Sequence, residues 1–340
     1  MGIRSTNSTK PLVSIVCITY NHEAFIRDAL DGFLMQQTNF KFEIVIGEDC
    51  SIDSTKIICE EYAAKYSSIN LLPSIKNLGM NPNTIRTYTA CKGKYIAICE
   101  GDDYWTDPYK LQKQVDFLDT HSDYGLVHSD FDKLYEKSGR IIRNFKKKNK
   151  IYKSYDTNIF NGLLTNQYII TTNTVMAKRK LLLKALNDLD LSGYLMTDLP
   201  TWLAMTQLTK FHYFNESMGV YRKIKGSVST DISTQNSFIL SGLRIRLDFA
   251  ERYSAPNKIK KKLQKDYLWN ILLKAFYSKD LQLRVQYFNN MKSNNFKMNL
   301  YEYFVYFSID NTILRAVFLG FEKFKKSIIF LLNYIIKKNL

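Results

Sequence analysis

Several familiar classes of protein are excluded by what this chain has little of. Of 340 residues only six are proline and fourteen glycine, so neither a collagen-like repeat nor a low-complexity tract can be present. Cysteines number five, an odd count without a Cys-x-x-Cys pair, and histidines only four. A disulfide framework and a Cys/His zinc site are therefore both disfavoured, and a reducing, cytoplasmic setting is expected. The first residues lack an apolar run of signal-peptide length. No G-x-G-x-x-G, no G-x-x-x-x-G-K-[ST] and no G-x-S-x-G occurs, so dinucleotide, P-loop and α/β-hydrolase chemistry have no support. Acidic residues are also few, 32 against 48 Lys and Arg. The excess of sixteen positive charges is concentrated: residues 251–340 hold seventeen basic and six acidic side chains. A second basic run, Lys133 to Lys153, includes Lys146, Lys147 and Lys148 in succession. Such segments meet nucleic acid, anionic lipid or solvent. No nucleic-acid recognition motif accompanies them, and none of the basic runs adjoins the acidic clusters described below, so no nucleic-acid partner is expected.

Apolar residues make up 45% of the chain, with 23 Tyr and 21 Phe, enough for a sizeable core. The first hundred residues alternate between short apolar runs and helical spacing. Leu12–Thr19, Phe42–Gly47, Ile69–Leu72 and Tyr95–Cys99 read as strands buried on both faces. Glu23–Met35, Asp53–Tyr66, Pro82–Cys91 and a segment opened by Pro108 and running to about Asp119 read as helices. The alternation implies an α/β protein with a doubly wound, mostly parallel sheet. Beyond residue 122 the spacing predicts strands at Tyr124–Ser129, Thr171–Ala177, Phe211–Phe214 and Ser217–Arg222, a basic hairpin over Lys133–Phe145, and helices at Arg179–Leu189 and Thr197–Leu208. From Ser233 onward the chain reads as helical. The expected organisation is a catalytic domain over 1–232 and a basic helical region over 233–340.

Ligands of doubly wound sheets sit beyond the carboxyl ends of the strands. Three polar clusters lie at those ends. They are Thr19-Tyr20-Asn21-His22-Glu23, Glu48-Asp49-Cys50-Ser51-Ile52-Asp53 and Glu100-Gly101-Asp102-Asp103-Tyr104-Trp105. The third puts three carboxylates within four residues, where mutual repulsion favours a cation among them. An acidic turn capping the following helix is the alternative. Asp49, just after an apolar strand, can accept from a nucleobase N–H. Ser51 and Asp53 also suit helix capping. Asp198 sits at an expected helix N-terminus, where the dipole favours its ionised form. A lone His such as His22 is more often scaffold than ligand.

Together these clusters resemble the family 2 glycosyltransferases, which have the GT-A, Rossmann-like nucleotide-sugar fold. The resemblance spans about residues 12–230. Segment 14–26, SIVCITYNHEAFI, is similar to the family's opening strand and nucleotide loop. Segment 47–55, GEDCSIDST, is similar to its Asp-Asp-Gly-Ser-x-Asp-x-Thr element, with Glu48 and Asp49 on the acidic pair and Cys50 in place of Gly. Asn77-Leu78-Gly79 matches its Asn-x-Gly turn. Segment 99–114, CEGDDYWTDPYKLQKQ, matches its metal-binding Asp-x-Asp region, with Glu100 in place of the first Asp. Tyr221-Arg222 matches its late Tyr-Arg pair. Similar chains often carry His two residues after that Arg. Here Ile224 stands there, so Lys223 or Lys225 supplies the charge, or the metal is held more weakly.

The resemblance implies an inverting, hexosyltransferase-type enzyme. It would move a sugar from a nucleoside diphosphate sugar, by family habit a UDP-sugar, to an acceptor hydroxyl in surface glycan or polysaccharide synthesis. Asp198 would be the catalytic base. Thr19, Tyr20, Asn21, Glu23, Asp49, Ser51, Asn77, Glu100, Asp102 and Arg222 would bind the nucleotide sugar, and Asp102 and Asp103 a divalent Mg²⁺ or Mn²⁺. The acceptor would be a glycan or a lipid-linked glycan. The Ile224 departure motivates one alternative, an inactive nucleotide-sugar binder of the same fold.

The tail carries a separate expectation. Residues 301–340 mix Tyr303–Phe307, Val317–Leu319 and Ile328–Leu332 with Lys323, Lys325, Lys326, Lys337 and Lys338. Their longest uncharged stretch, Ser327–Ile336, is too short to span a bilayer. Apolar residues beside lysines suit an interfacial helix, so peripheral contact with the cytoplasmic face of a membrane is expected. An ordinary packed helix is the competing reading.

Overall fold

The sheet starts from short, mostly apolar runs, which Ser14, Glu43 and Asn70 interrupt singly. A computed structural model of the chain describes residues 10–149, 151, 158–224 and 232–320. In it, β1 (Val13–Thr19), β2 (Phe42–Glu48), β3 (Ile69–Leu71) and β4 (Tyr95–Ile98) pair in parallel in the order β3-β2-β1-β4. The helices α1 (Ile26–Leu34), α2 (Thr55–Lys65) and α3 (Met80–Ala90) make the crossovers. Helix α1 buries Ile26, Ala29, Leu30 and Phe33, and Phe33 meets Trp105 edge-on with ring centroids 4.9 Å apart. The closest approach is at Gly32, where a Cβ would lie 3.0 Å from the Trp105 nitrogen. Only glycine lets the helix backbone come this near.

Trp105 belongs to β5 (Tyr104–Trp105), which the sequence pattern does not announce because it is two residues long. Helix α4 (Lys110–Thr120) follows. Pro108 precedes its cap, Tyr109, instead of opening the first turn, and Asp107 accepts the Tyr109 N–H at 2.9 Å. Strand β6 (Tyr124–Tyr135) is twice the expected length, and its end pairs with β7 (Arg140–Ile142) to make the basic hairpin. Two short helices follow, α5 (Phe145–Lys148) and α6 (Ile159–Leu164). The expected strand at 171–177 is a 3-10 turn, Thr172–Thr174, leading into β8 (Met176–Lys178). Helices α7 (Arg179–Asn187) and α8 (Asp198–Met205) precede β9 (Lys210–Lys223). The two strands read at 211–214 and 217–222 are one strand. Register shifts against β6 absorb Asn215 and Glu216 without ending the ladder. Strand β8 runs antiparallel to β4 and β6, β9 is parallel to β6, and β5 pairs antiparallel with β9.

The chain divides into two compact units, Met1–Tyr253 and Ser254–Leu340. Helix α9 (Ile232–Arg252), which the sequence reading assigns to the C-terminal region, belongs to the first unit. Its Arg246 Nε donates to the Leu163 carbonyl at 3.1 Å and its Ser241 Oγ accepts the Leu195 N–H at 2.9 Å. The second unit comprises α10 (Asn257–Ser278), α11 (Leu281–Ser293), α12 (Leu300–Phe307) and a helical segment at 312–320. Val305, Ile309 and Phe318 are buried there, so one side of 301–320 packs into that unit. Lys323, Lys325, Lys326, Lys337, Lys338 and Ile328–Leu332, named from the sequence, lie outside the described residues, as does Lys225. Among the described residues no helix is long and apolar enough to cross a membrane. The α/β class, the GT-A-like sheet flanked by helices and the helical C-terminal region all stand as expected.

Candidate active site

Register brings the three clusters together. Thr19 pairs with Glu48, so the loops after β1 and β2 leave the sheet side by side. Strand β4 stops opposite Val16, and the chain continues along β1, with Gly101 N–H donating to the Ile18 carbonyl at 3.0 Å. The carboxylate loop therefore runs past Thr19.

The first two loops are stapled to each other. Asn21 N–H donates to Ser51 Oγ (2.9 Å), Ile52 N–H to Asn21 Oδ1 (3.0 Å), Glu23 N–H to Asp53 Oδ2 (3.1 Å) and Ser54 N–H to Glu23 Oε2 (2.8 Å). Asp53 Oδ1 also takes the Thr55 N–H at the start of α2. Asn21, Glu23 and Ser51, read from sequence as nucleotide-binding, thus tie the loops after β1 and β2 together. His22 is scaffold: its Nδ1 lies 3.1 Å from Thr19 Oγ1 and its N–H donates to Thr55 Oγ1. Tyr20 is 42% exposed beside them. Asn21 and Cys50 both adopt left-handed backbone, φ 56° and 57°. At Cys50 this explains why a glycine suits the position in similar sequences.

Glu48 and Asp49, both buried, serve different ends. Glu48 accepts from Ser51 N–H, Cys50 N–H and Ser74 Oγ, and so organises its own loop. Asp49 receives the Leu78 and Gly79 N–H groups at 2.9 Å each, while Asn77 Nδ2 donates to the Asp49 carbonyl at 3.0 Å. Gly79, at φ 84°, caps α3. Asp49 and Asn77 are therefore brought together, and each Asp49 oxygen keeps a lone pair beyond its backbone bond. Asn83 and Arg86 of α3, which the sequence reading does not single out, brace the end of β2 beside Asp49. Asn83 Nδ2 donates to the Gly47 carbonyl and Arg86 Nη2 to the Glu48 carbonyl, both at 2.7 Å. Their i, i+3 spacing on a polar helix face was the available signal.

In the third cluster Asp103 is buried and accepts the Arg222 N–H at 2.7 Å. Burial, with Asp102 and Glu100 close by, holds its carboxyl well above the usual range. Glu100 is pushed up to about 8, first by burial and then by the negative charges of Asp102 and Asp198. The field of Asp198 thus reaches the carboxylate loop. Asp198 is the first residue of α8, whose N-cap is Thr197. Burial raises its pKa, and the Leu199 N–H and the charge of Arg246 on α9 restrain the rise. Arg246 lies in the region the sequence reading set apart as a tail, so only the packing of α9 reveals it.

Arg222 reaches the site through its backbone. Its guanidinium lies between Phe25 and Tyr104, 5.2 and 4.6 Å from their ring centroids, and pairs with Asp28 and Glu136. Ile224 follows the end of β9, and Lys223 stacks over Tyr135 at 5.9 Å.

Among the described residues no group of three or more His, Cys, Asp or Glu side chains is arranged to hold a metal ion. The donor chemistry of the third cluster nevertheless suits a hard divalent cation. Burial first, and then the negative charge of neighbouring carboxylates, raises the Asp103 and Glu100 carboxyls, and a cation would relieve that crowding. Asp102 and Asp103 are the residues that could hold it, with phosphate oxygens completing the shell.

Several known proteins are similar to this chain. An uncharacterised protein of Mycobacterium tuberculosis is 45% identical over 126 residues, 36% of either chain. The matched segment thus spans about a third of such curated relatives. A Bacillus subtilis protein, TuaG, named as a teichuronic acid biosynthesis glycosyltransferase, is 26% identical over 230 residues, covering 65% of this chain and 83% of its own. Two solved structures share the fold. One is Staphylococcus aureus TarS 1-349 in complex with UDP-GlcNAc (TM-score 0.59, 17% identity, 92% of this chain and 91% of that one). The other is the mannosyltransferase PcManGT of Pyrobaculum calidifontis in complex with GDP-Man and Mn²⁺ (TM-score 0.55, 14% identity, 92% and 88%). The sequence profile of glycosyl transferase family 2 matches residues 14–183, from the first strand through the carboxylate loop and into α7. With half the chain inside that match and the strand-end clusters where the fold requires them, the protein belongs to glycosyl transferase family 2.

Proposed function

We propose that the chain transfers a hexosyl group from a UDP-sugar to an acceptor hydroxyl of a glycan or lipid-linked glycan, with inversion, in surface polysaccharide synthesis. The observation that carries the reading is geometric: the Gly101 N–H ties the carboxylate loop to the Ile18 carbonyl at the end of β1, where Thr19 pairs with Glu48, and the Arg222 N–H holds Asp103 there. The negative charge of Asp198, on the first turn of α8, adds to that of Asp102 in raising the Glu100 carboxyl, which supports a base near the same loop. The names of the relatives above, a teichuronic acid enzyme and structures holding UDP-GlcNAc or GDP-Man, support the donor class and the pathway type.

On this reading Thr19–Glu23 and Asp49 receive the nucleotide, and Asn77 and the Leu78–Gly79 amides orient Asp49. Asp198 takes the acceptor proton as the hydroxyl oxygen attacks the anomeric carbon opposite the leaving diphosphate. Burial makes Asp198 a stronger base than a solvated carboxylate, while the Leu199 N–H and Arg246 keep it ionisable. A divalent cation on Asp102 and Asp103, Mg²⁺ or Mn²⁺, would offset charge on the departing diphosphate. Five free cysteines support a reducing, cytoplasmic setting for the reaction.

The test is a panel of nucleotide sugars assayed for transfer and hydrolysis with Mn²⁺ or EDTA, using the protein and Asp198→Asn. The variant should lose about 10²–10⁴ in kcat, the range of a general base, with donor affinity unchanged. A loss of about threefold or less makes Asp198 structural. Nucleotide binding without turnover of any donor would identify an inactive binder.

A further inference from the structure

The second unit leaves much of its apolar surface uncovered. Among the described residues, half of the exposed large apolar side chains lie between Tyr277 and Leu319. On α11 they are Leu281, Val285 and Phe288 (47%, 52% and 45% exposed), at i, i+4, i+7 spacing. The same stripe continues into Lys292. On α12 Leu300, Tyr303 and Phe307 again lie along one stripe, with Tyr301 beside it, and Ile313 and Val317 add a third. The first two stripes are contiguous. Phe288 meets Tyr306 at 6.0 Å between centroids, Tyr306 meets Phe307 at 5.3 Å, and Phe307 stacks on Tyr303 at 6.4 Å. A monomer rarely leaves so large an apolar patch open to water without a partner for it.

Charge identifies the partner. The acidic side chains of 277–320 are Asp280, Glu302 and Asp310, and each is committed within the unit. Asp280 accepts the Gln282 and Leu283 N–H groups, Glu302 closes a capping box with Asn299, and Asp310 pairs with Arg284 at 2.7 Å. Arg315 is likewise turned inward, onto the Phe276 and Tyr277 carbonyls. Lys279, Lys292 and Lys297 remain exposed, and no described ion pair engages them. Apolar stripes interspersed with uncommitted lysines, on helices that do not span, complement a surface that is anionic at its rim and hydrocarbon beneath.

We propose that the face formed by α11, α12 and 312–320 docks onto an anionic lipid bilayer, Leu281, Val285, Phe288, Leu300, Phe307 and Ile313 entering the interface and the three lysines meeting lipid phosphates. The proposal does not depend on which reaction the first unit catalyses. Each lysine near an anionic leaflet contributes about 1 kcal/mol, or about fivefold in partitioning, so the three together contribute about a hundredfold.

Cosedimentation of the full chain with vesicles of phosphatidylcholine containing 30 mol% phosphatidylglycerol, or none, tests it. Two variants are compared, Lys279→Ser/Lys292→Ser/Lys297→Ser and Leu300→Ser/Phe307→Ser/Ile313→Ser, all at exposed positions and each checked for an unchanged melting temperature. The expected result is binding to the anionic vesicles, much less to the neutral ones, a fall of roughly a hundredfold in the lysine variant, and a loss of at least tenfold in the apolar one. Donor hydrolysis should be the same in all three proteins. No binding to anionic vesicles, or binding that both variants retain, overturns the proposal. So does a dimer by light scattering that only the apolar variant abolishes in the absence of vesicle binding, because the face would then belong to a second copy.

Discussion

The carboxylate loop depends on an atom that is absent. Gly101 lies where the loop crosses the end of β1, and a Cβ built there would stand 2.5 Å from Thr19 Oγ1, 2.8 Å from Thr19 Cβ and 3.0 Å from Ile26 Cδ1. Carbon atoms prefer about 3.5–4.0 Å, so Gly101→Ala must push the loop or Thr19 by roughly 0.7 Å. Neither neighbour yields easily. Thr19 is buried and β-branched, its carbonyl accepts the Asp49 N–H, and Ile26 is buried at the start of α1. Overpacking of this kind costs about 1–3 kcal/mol, which in a unit of this size lowers the melting temperature by roughly 2–4 °C per kcal/mol. The functional cost should exceed the stability cost. A displacement approaching 1 Å at groups that position a reacting substrate costs up to about 10² in rate, and Glu100 and Asp102 flank the substituted residue. Steady-state transfer with a saturating donor should show kcat down by roughly 10–100-fold in a protein that still melts cooperatively. Adding Thr19→Ala, which removes the nearest atom, should restore part of the loss. A Gly101→Ala protein with wild-type kcat and melting temperature would refute the claim that this crossing sets the geometry of the carboxylates.

Other outcomes follow from the same coordinates. Asp49→Asn keeps shape but turns a donor toward the Leu78 or Gly79 N–H, so calorimetry should show nucleoside diphosphate binding weakened by about 1–3 kcal/mol; unchanged affinity would mean Asp49 serves only the turn. Lys146 is wholly buried, 3.0 Å from both His128 Nδ1 and the Ser129 carbonyl, and burial lowers its pKa from 10.5 to about 7. Between those values the unfolded chain holds the extra proton, so this residue's contribution to stability rises with pH. The stability of the protein minus that of Lys146→Met, from urea unfolding, should grow by about 1 kcal/mol per pH unit between pH 7 and 8.5; a flat or falling difference would show that the folded amine stays protonated like that of the unfolded chain.

Sequence alone determined the parallel half of the sheet and the positions of the site clusters. Runs such as Val13–Thr19 and Tyr95–Ile98 have no polar face, so they can only be strands covered on both sides, and polar residues at their ends must gather at one sheet edge. Residue chemistry also marked the Glu100–Asp103 group, because carboxylates crowded after a buried strand are costly without a cation, whereas Asp198 was marked only by the family resemblance. Tertiary structure decided what each polar group does. Asn21, Glu23 and Ser51 read as ligands in a linear motif, and the structure adds that their hydrogen bonds staple two loops that are thirty residues apart in sequence. The role of Arg222 as a backbone donor to Asp103 arises from a contact 119 residues long, and the charge of Arg246 reaches Asp198 only because α9 packs back onto the first unit. The fusion of two expected strands into β9 has the same origin. Its bulge is tolerated because β6 pairs on both sides of it, and a ladder partner is not encoded in the strand's own residues.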